Sequence, residues 1–335
     1  MSTPFIELGD TKVKIRNYLA VILGSILLAP IACNGAEVSA VSGTPLGVFR
    51  GSGKPNQVAE YEGWLGESMA YVIDYTGREP LDSPEPWNEI DDPSWVCNRW
   101  REGAARLVLS TAMLPNSNFT LATGASGGYD DHWRKFGTTM VKQGCGDAVL
   151  RLGWEFNGKF YPWMAGGKEA SFAAYWRRIV DTLRTIPGQA FLFDWCPLAG
   201  VGNANVEAAW PGKDYVDFIG LDAYDTATLG MNDPAQRWNY QLKRIYGLDW
   251  LNQFAAKQGK PMSFPEWGVT NRVRDKLGGG DNSTYIRNMW NWFQTHNVAY
   301  AAYFEYDADV ASHRLMTTEF PKASAEYRKL VSANN

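Results

Sequence analysis

Two acidic residues stand at the ends of apolar, strand-like runs: Glu155 in "AVLRLGWEFNG" (Ala148 to Gly158) and Glu266 in "MSFPEWGV" (Met262 to Val269). Taken singly, a Glu in such a place is a solvated strand end. Taken as a pair 111 positions apart (266 − 155), the two are a candidate reaction centre if the fold brings the strand ends together. Two carboxyl groups across a glycosidic bond suffice to hydrolyse it. One must be protonated to release the leaving sugar's oxygen, and the other ionised to attack or to activate water. Burial and the partner's charge raise the pKa of the acid, while hydrogen-bond donors keep the other group ionised. Side chains alternate along a strand, so Arg151, Gly153 and Glu155 are expected on one face. If that face is inward, Arg151 bonds a carboxylate from below; an ion pair without a catalytic role is the plainer alternative.

The elements that must position these residues are legible beyond residue 45. Strand-like runs at 46–49, 69–75, 105–113, 148–156, 190–197, 217–224, 262–269 and 299–307 alternate with amphipathic helical stretches. Phe172, Trp176, Ile179, Leu183 and Ile186 make one helical stripe, and Ile286, Met289, Trp290 and Phe293 another. Eight such alternations predict a single-domain (β/α)8 TIM barrel, with a doubly wound open sheet as the weaker alternative. A barrel delivers strand C-termini to one catalytic face. Two long loops, Gly77 to Pro93 and Leu114 to Tyr129, leave from that face. Asp74, Asp194, Asp222, Glu305, Asp307 and Asp309 also fall near it, with Asp194 and Asp222 read as structural ahead of hydroxyl-binding.

Composition narrows the partner. The chain has 335 residues, 45% of them hydrophobic and 20% charged, with 15 Trp, 16 Tyr and 15 Phe. Flat rings stack on the apolar faces of sugars while their N–H and O–H tips bond hydroxyls, so a surplus of Trp and Tyr suits a carbohydrate groove. Trp87, Trp95, Tyr129, Tyr161 and Trp163 fall in predicted rim loops, enough for several subsites and internal (endo) cleavage. A net charge of −4 without a basic run argues against a nucleic-acid partner. The three histidines, His132, His296 and His313, are far apart, so no metal site is expected. Gly278, Gly279 and Gly280 follow a charged stretch rather than a strand and read as a loop, not a phosphate cradle, so no cofactor is expected.

Residues 1–40 read as a targeting segment, leaving 41–335 as the catalytic domain. Lys12, Lys14 and Arg16 precede the apolar run Tyr18 to Ala32, and "VSA" ending at Ala40 offers small residues for cleavage. The run is shorter than the roughly twenty residues a spanning helix needs. Export, secreted or periplasmic, is the expectation. An uncleaved anchor or lipidation at Cys33 is the alternative. Of the remaining cysteines, Cys97 and Cys145 fall on neighbouring helices of the barrel scheme and are the candidate disulfide; Cys196 is expected buried and free.

Three motifs carry a family resemblance. "LRLGWEFNGKFYPW" (Leu150 to Trp163) resembles the acid/base motif of glycoside hydrolase family 26, in which an Arg-bearing strand runs into Glu, then Asn-Gly and a Trp. "WPGKDYVDFIGLDAYD" (Trp210 to Asp225) is similar to the sixth-strand motif, and "PEWGV" (Pro265 to Val269) to the seventh-strand motif with the nucleophile. The three occur in family order and span most of the body of the chain. The resemblance implies a clan A retaining hydrolase, with Glu155 as acid/base, Glu266 as nucleophile and the carboxyls roughly 5–5.5 Å apart. It makes Tyr224 the nucleophile's hydrogen-bond donor and Trp163 a sugar contact. Trp154, Arg151, Asn157 and Trp267 complete the expected substrate-binding set. The family's mannanases usually carry His where this chain has Trp154 and a bulky residue where it has Gly153. The substrate expectation is therefore a β-linked polysaccharide: β-mannan, β-1,3-xylan, mixed-linkage β-glucan or a bacterial exopolysaccharide. A monomer is expected. A non-catalytic carbohydrate-binding barrel, a transglycosylase and an anchored envelope protein are the competing readings.

Overall fold

The structure, a computed structural model, describes residues 43–333. The expected leader at 1–40, with Cys33, lies outside the described residues. One parallel sheet is built from β1 (Leu46–Phe49), β2 (Tyr71–Tyr75), β3 (Arg106–Thr111), β4 (Val149–Leu152), β5 (Leu192–Trp195), β6 (Phe218–Gly220), β7 (Ala223–Tyr224), β8 (Met262–Gly268) and β9 (Val298–Phe304). β6 and β7 are two pieces of one stave, interrupted at Leu221 and Asp222, and both pair with β8. β9 returns to β1 in the register Leu46↔Ala301 to Phe49↔Phe304, so eight staves close on themselves. This is the (β/α)8 barrel that the alternation predicts.

Alternation along the staves sorts the core into two layers. Phe49, Ile73, Val108, Val149, Phe218, Tyr300, Ala302 and Phe304 fill the barrel's interior. Leu107, Leu109, Leu150, Phe193 and Phe264 face outward against the helices. Phe172, Trp176, Ile179 and Leu183 form the buried stripe of the helix Glu169–Arg184, and Ile286, Met289, Trp290 and Phe293 that of Ser283–Thr295. Ile186 lies just past its helix.

Two staves break the simple alternation where the site is built. β4 ends at Leu152, short of the expected Phe156. Gly153 and Glu155 both take left-handed backbone, at φ 51° and 52°. A Cβ at Gly153 would collide with Met113 Sδ, so the turn needs glycine for close approach as well as for its conformation. Glu155 is therefore carried by a turn rather than by the strand's pleat. In β8, Phe264 pairs with Ala301 and Trp267 with Tyr303, three steps on one strand against two on the other. That extra residue reverses the phase of the pleat, turning Glu266 into the barrel and Trp267 out to the helices.

The long loops are less open than their composition suggests. Trp87 is buried and stacks on His132 with ring centres 4.3 Å apart. Tyr129 is buried against Trp87 and Tyr175, and Trp95 packs on the core. Trp87 and Tyr129 hold the loops to the barrel and are withdrawn from the expected subsites, while Trp95 is only partly buried.

Cys97, on the helix Ser94–Trp100, is disulfide-bonded to Cys145, which follows the helix Asp130–Lys142, with Cα atoms 6.0 Å apart. Cys196 is free and buried. The bond closes a loop of 48 positions, for which chain entropy alone gives about 4 kcal/mol at 25 °C. Replacing both cysteines by serine is expected to cost about 2–4 kcal/mol in urea unfolding, and adding reductant should bring the wild-type midpoint to that of the variant. Identical midpoints with and without reductant would show that the bond contributes nothing.

Candidate active site

A cavity of about 550 Å³ opens at the C-terminal ends of the staves, and Glu155 and Glu266 both line it. The turn after β4 fixes Glu155 through two backbone bonds: its N–H donates to the Cys196 carbonyl at 2.9 Å, and its own carbonyl accepts from Gly158 at 2.8 Å. One carboxylate oxygen each from Glu155, Glu266 and Asp222 lie within 4.8 Å of one another. Three acids so close repel as anions, and Arg151 stands among them.

Arg151 is wholly buried on β4, two residues beyond the interior Val149. Its Nη1 donates to Glu266 Oε1 at 2.6 Å and to Ser110 Oγ at 3.0 Å, and its Nη2 to Asp222 Oδ2. Glu266 also accepts from Tyr75 Oη at 2.7 Å and from Tyr224 Oη at 2.6 Å. Burial pushes the Glu266 carboxyl up, but the Arg151 charge and the hydrogen bonds from Tyr224, Tyr75 and Arg151 outweigh it. Its pKa lies below the ordinary value. Glu155 has no such set of donors. Burial first, and then the Glu266 charge, push its pKa to about 8 against the pull of Arg151. The arrangement can hold one protonated and one ionised carboxyl side by side at neutral pH.

The expected substrate-binding residues divide sharply. Trp154 and Tyr224 line the cavity with the two acids. Trp154 is set edge-on to Tyr75 and donates through Nε1 to Tyr161 Oη at 3.0 Å. Burial removes the other four from any surface a ligand could touch. Arg151 is enclosed by its carboxylates. Asn157 is spent on backbone, donating to the carbonyls of Leu198 and Val201 and accepting from Leu198 N–H. Trp163 lies fully buried beneath Tyr161, stacked at 4.6 Å, with Nε1 bonded to the Trp154 carbonyl. Trp267 packs among Phe293, Tyr303 and Tyr327 in the outer layer because of the β8 phase reversal. These four shape the site from behind.

The flanking acids are structural. Asp194 accepts from Ser263 Oγ and Tyr300 Oη, both at 2.6 Å. Asp74 holds Trp100 Nε1 and Gly53 N–H, and Glu305 holds the N–H groups of Leu315 and Met316. Asp307 and Asp309 are exposed at the rim. Sequence reasoning missed Tyr75 and His313 as parts of the site, whereas Tyr161, expected among the rim aromatics, lines the cavity. Tyr75 closes an alternating run two residues after the interior Ile73, which is the signal that it points inward. His313 is buried in the cavity wall, with Nδ1 3.0 Å from the Val269 carbonyl and its ring 4.7 Å from Tyr224. Burial holds its pKa below the ordinary value.

A closed (β/α)8 barrel with one neutral and one anionic carboxyl at the ends of its fourth and seventh staves defines a class of barrel made for acid–base work on a bound ligand. Residues 146–298 match the family model described as Glycosyl hydrolase family 26. Endoglucanase H of Acetivibrio thermocellus is 26% identical over 198 residues, 56% of this chain and 20% of that protein. A mannan endo-1,4-beta-mannosidase of Bifidobacterium adolescentis is 27% identical over 161 residues, 46% of this chain and 16% of that protein. The chain thus spans a fifth or less of the length of these two relatives. An endo-beta-1,4-mannanase of Cellulomonas fimi, in a double-mutant form, superposes with a TM-score of 0.62 at 17% identity, over 87% of this chain and 71% of that one. That likeness bears on the fold. Over residues 146–298 the chain therefore resembles glycosyl hydrolase family 26, as a divergent relative.

Two outcomes are expected from the Arg151 network. Arg151→Met strands buried carboxylates and should cost about 3–5 kcal/mol in urea unfolding. Tyr224→Phe and Tyr75→Phe each remove one hydrogen bond to the ionised Glu266 and should raise its pKa, read by carbon-13 NMR of the carboxyl. A Glu266 titration unmoved in both would mean that the tyrosines do not hold its charge.

Proposed function

We propose that the chain is a retaining endo-glycoside hydrolase of β-linked polysaccharide, with Glu155 as acid/base and Glu266 as nucleophile. One observation carries this reading: a carboxyl raised to about 8 and a carboxyl held below its ordinary value share one cavity, their oxygens within 4.8 Å. That spacing is nearer the roughly 5–5.5 Å of retaining pairs than the ~6.5–9.5 Å of inverting ones and suits direct attack on the sugar. Glu155 donates its proton to the leaving oxygen as Glu266 attacks the anomeric carbon. In the second step Glu155 takes a proton from the incoming water, which releases the sugar from Glu266. Arg151, Tyr75 and Tyr224 keep Glu266 ionised and aimed, and buried Arg151 does so without touching the sugar. Internal cleavage is supported by a second cleft of about 600 Å³, which shares Phe160 and Tyr161 with the first and offers room for further units. Export is part of the same reading, since a polymer is met outside the cell. Among the described residues no helix is long and apolar enough to cross a membrane.

The test is reducing-end release from β-mannan, β-1,3-xylan, mixed-linkage β-glucan and bacterial exopolysaccharides, with Glu155→Ala and Glu266→Ala alongside. Release on one polymer is expected, lowered about 10²–10⁴-fold by Glu155→Ala and lost in Glu266→Ala. Proton NMR of the first product should show the β-anomer. Activity that survives either substitution would mean that the wrong carboxylate is named. Silence on every polymer, with binding retained, would favour a carbohydrate-binding barrel.

The pH dependence follows from the two carboxyls. Glu155 must be protonated, so kcat/KM should fall as pH rises through about 8. Glu266 must be ionised, so the rate should fall on the acid side only below the ordinary Glu value. Tyr224→Phe should move the acid limb upward and shorten the plateau. A basic limb that persists in Glu155→Gln would assign it to another group.

A further inference from the structure

Arg244 ends the helix Pro234–Lys243 and lies in the wall of the cavity that holds Glu155 and Glu266. It is only 8% exposed. Its Nη1 donates to Thr226 Oγ1 at 3.0 Å, with longer approaches of 3.5 and 3.4 Å to the carbonyls of Thr226 and Tyr224. Its Nε has no acceptor. None of these partners carries charge. By contrast, buried Arg151 faces Glu266 and Asp222, and buried Arg237 faces Asp225. Asp225, which lies nearby, is committed to Arg237 at 3.1 Å and Asn282 at 2.7 Å. Gly200, also in the cavity wall, places no side chain over the guanidinium; a Cβ there would stand 3.2 Å from Arg244 Cδ and 3.4 Å from Nη1.

A buried cation with neutral acceptors alone is costly, and the cost is relieved when an anion joins it. Burial accordingly lowers the Arg244 pKa. Neutral sugars are recognised by hydroxyl groups and ring faces and need no such group. A carboxylate, in contrast, accepts two parallel hydrogen bonds from a guanidinium. The adjoining cleft points the same way: it carries Arg78, Lys159 and Lys168 against one acid, Glu79, on a chain whose net charge is −4. We propose that the polysaccharide taken here is acidic, bearing uronate carboxylates, and that Arg244 receives one of them beside the reacting unit. The proposal rests on the hydrolase reading for the place of the reacting unit, and on Arg244 for the charge.

Matched polymers that differ only at C6 separate the two. Oligomers of β-1,4-mannuronan against β-1,4-mannan, and of β-1,4-glucuronan against β-1,4-glucan, would be titrated calorimetrically into the Glu155→Gln chain, which does not consume them. In at least one pair the acidic member should bind about tenfold or more tightly, with an affinity that weakens as salt is added. Adding Arg244→Gln should erase the difference between the members, and adding Arg244→Lys, which keeps the charge without the fork, should restore part of it. A residue that merely braces the Tyr224–Thr226 segment would lower both members alike and leave their ratio unchanged, which would overturn the role of Arg244. Equal binding, or preference for the neutral member in every pair, would overturn the acidic substrate. The salt dependence decides even if Arg244→Gln fails to fold. Cleavage of a neutral polymer by the wild type would then leave the hydrolase reading standing. Preference for the acidic member without cleavage by the wild type would sink the hydrolase reading and still support the anion at Arg244.

Discussion

The site depends on one buried guanidinium. Arg151 stands inside the barrel between Glu266 and Asp222, within a group of three acids whose nearest oxygens lie within 4.8 Å. At that range two unit charges interact by about 4 kcal/mol at an effective dielectric constant of 20, or about three pK units. Three anions without a cation would therefore not coexist, and at least one would take up a proton. Arg151 pays for the ionisation of Glu266, helped by the two tyrosine hydroxyls. Glu155 lies beyond the reach of those donors and stays protonated. The difference between the two carboxyls is made by where one positive charge ends and by which acid the hydroxyls reach.

That electrostatic arrangement requires backbone that departs from regular strand. Glu155 is a non-glycine residue at φ 52°, a conformation that costs energy and persists only when its surroundings over-determine it. Here the bond from its N–H to Cys196 and the turn closed by Gly158 supply the restraint. On the opposite side of the cavity, the extra residue in β8 performs the corresponding service for Glu266. The extra residue in β8 aims into the cavity a side chain that the undisturbed pleat would turn outward, and the turn after β4 carries Glu155 by its own backbone bonds instead of by the pleat. Behind them a layer of rings, Trp163 under Tyr161 and Trp154 against Tyr75, fills the space that would let the turn move. Many of the aromatics that suggest a sugar-binding groove in the composition serve as this support.

The polar interior below Glu155 and Glu266 is tied together by short hydrogen bonds, with Asp194 Oδ1 and Arg151 Nε left without a partner. Asp194 takes two short hydrogen bonds from Ser263 and Tyr300, and Cys196 Sγ lies 3.3 Å from Asp222. Substitution at these positions would therefore act on Glu266 through Arg151 and Asp222. At the cavity wall, the charge of Arg244 is balanced by none of its hydrogen-bond partners.

The amino-acid sequence by itself determined the eight alternations of strand and helix, the two Glu at the ends of the fourth and seventh staves, and the placing of Arg151 on the same strand face as Glu155. These are local matters, decided by period-two and period-3.6 patterning and by the order of elements along the chain. It also placed Tyr224 beside Glu266, through the resemblance of its sixth-strand motif. Only the tertiary structure decided which neighbours of those residues face a ligand. The phase reversal in β8 buries Trp267, the two left-handed residues after β4 turn Glu155 forward, and packing under Tyr161 buries Trp163. Tyr75 and His313 join the site, and Trp87 and Tyr129 leave it, by contacts between segments far apart in sequence. The reason is that a pleat's phase can be read along a strand only until a residue is inserted or a turn intervenes. Whether an aromatic ring is wall or core depends on what the rest of the chain lays over it.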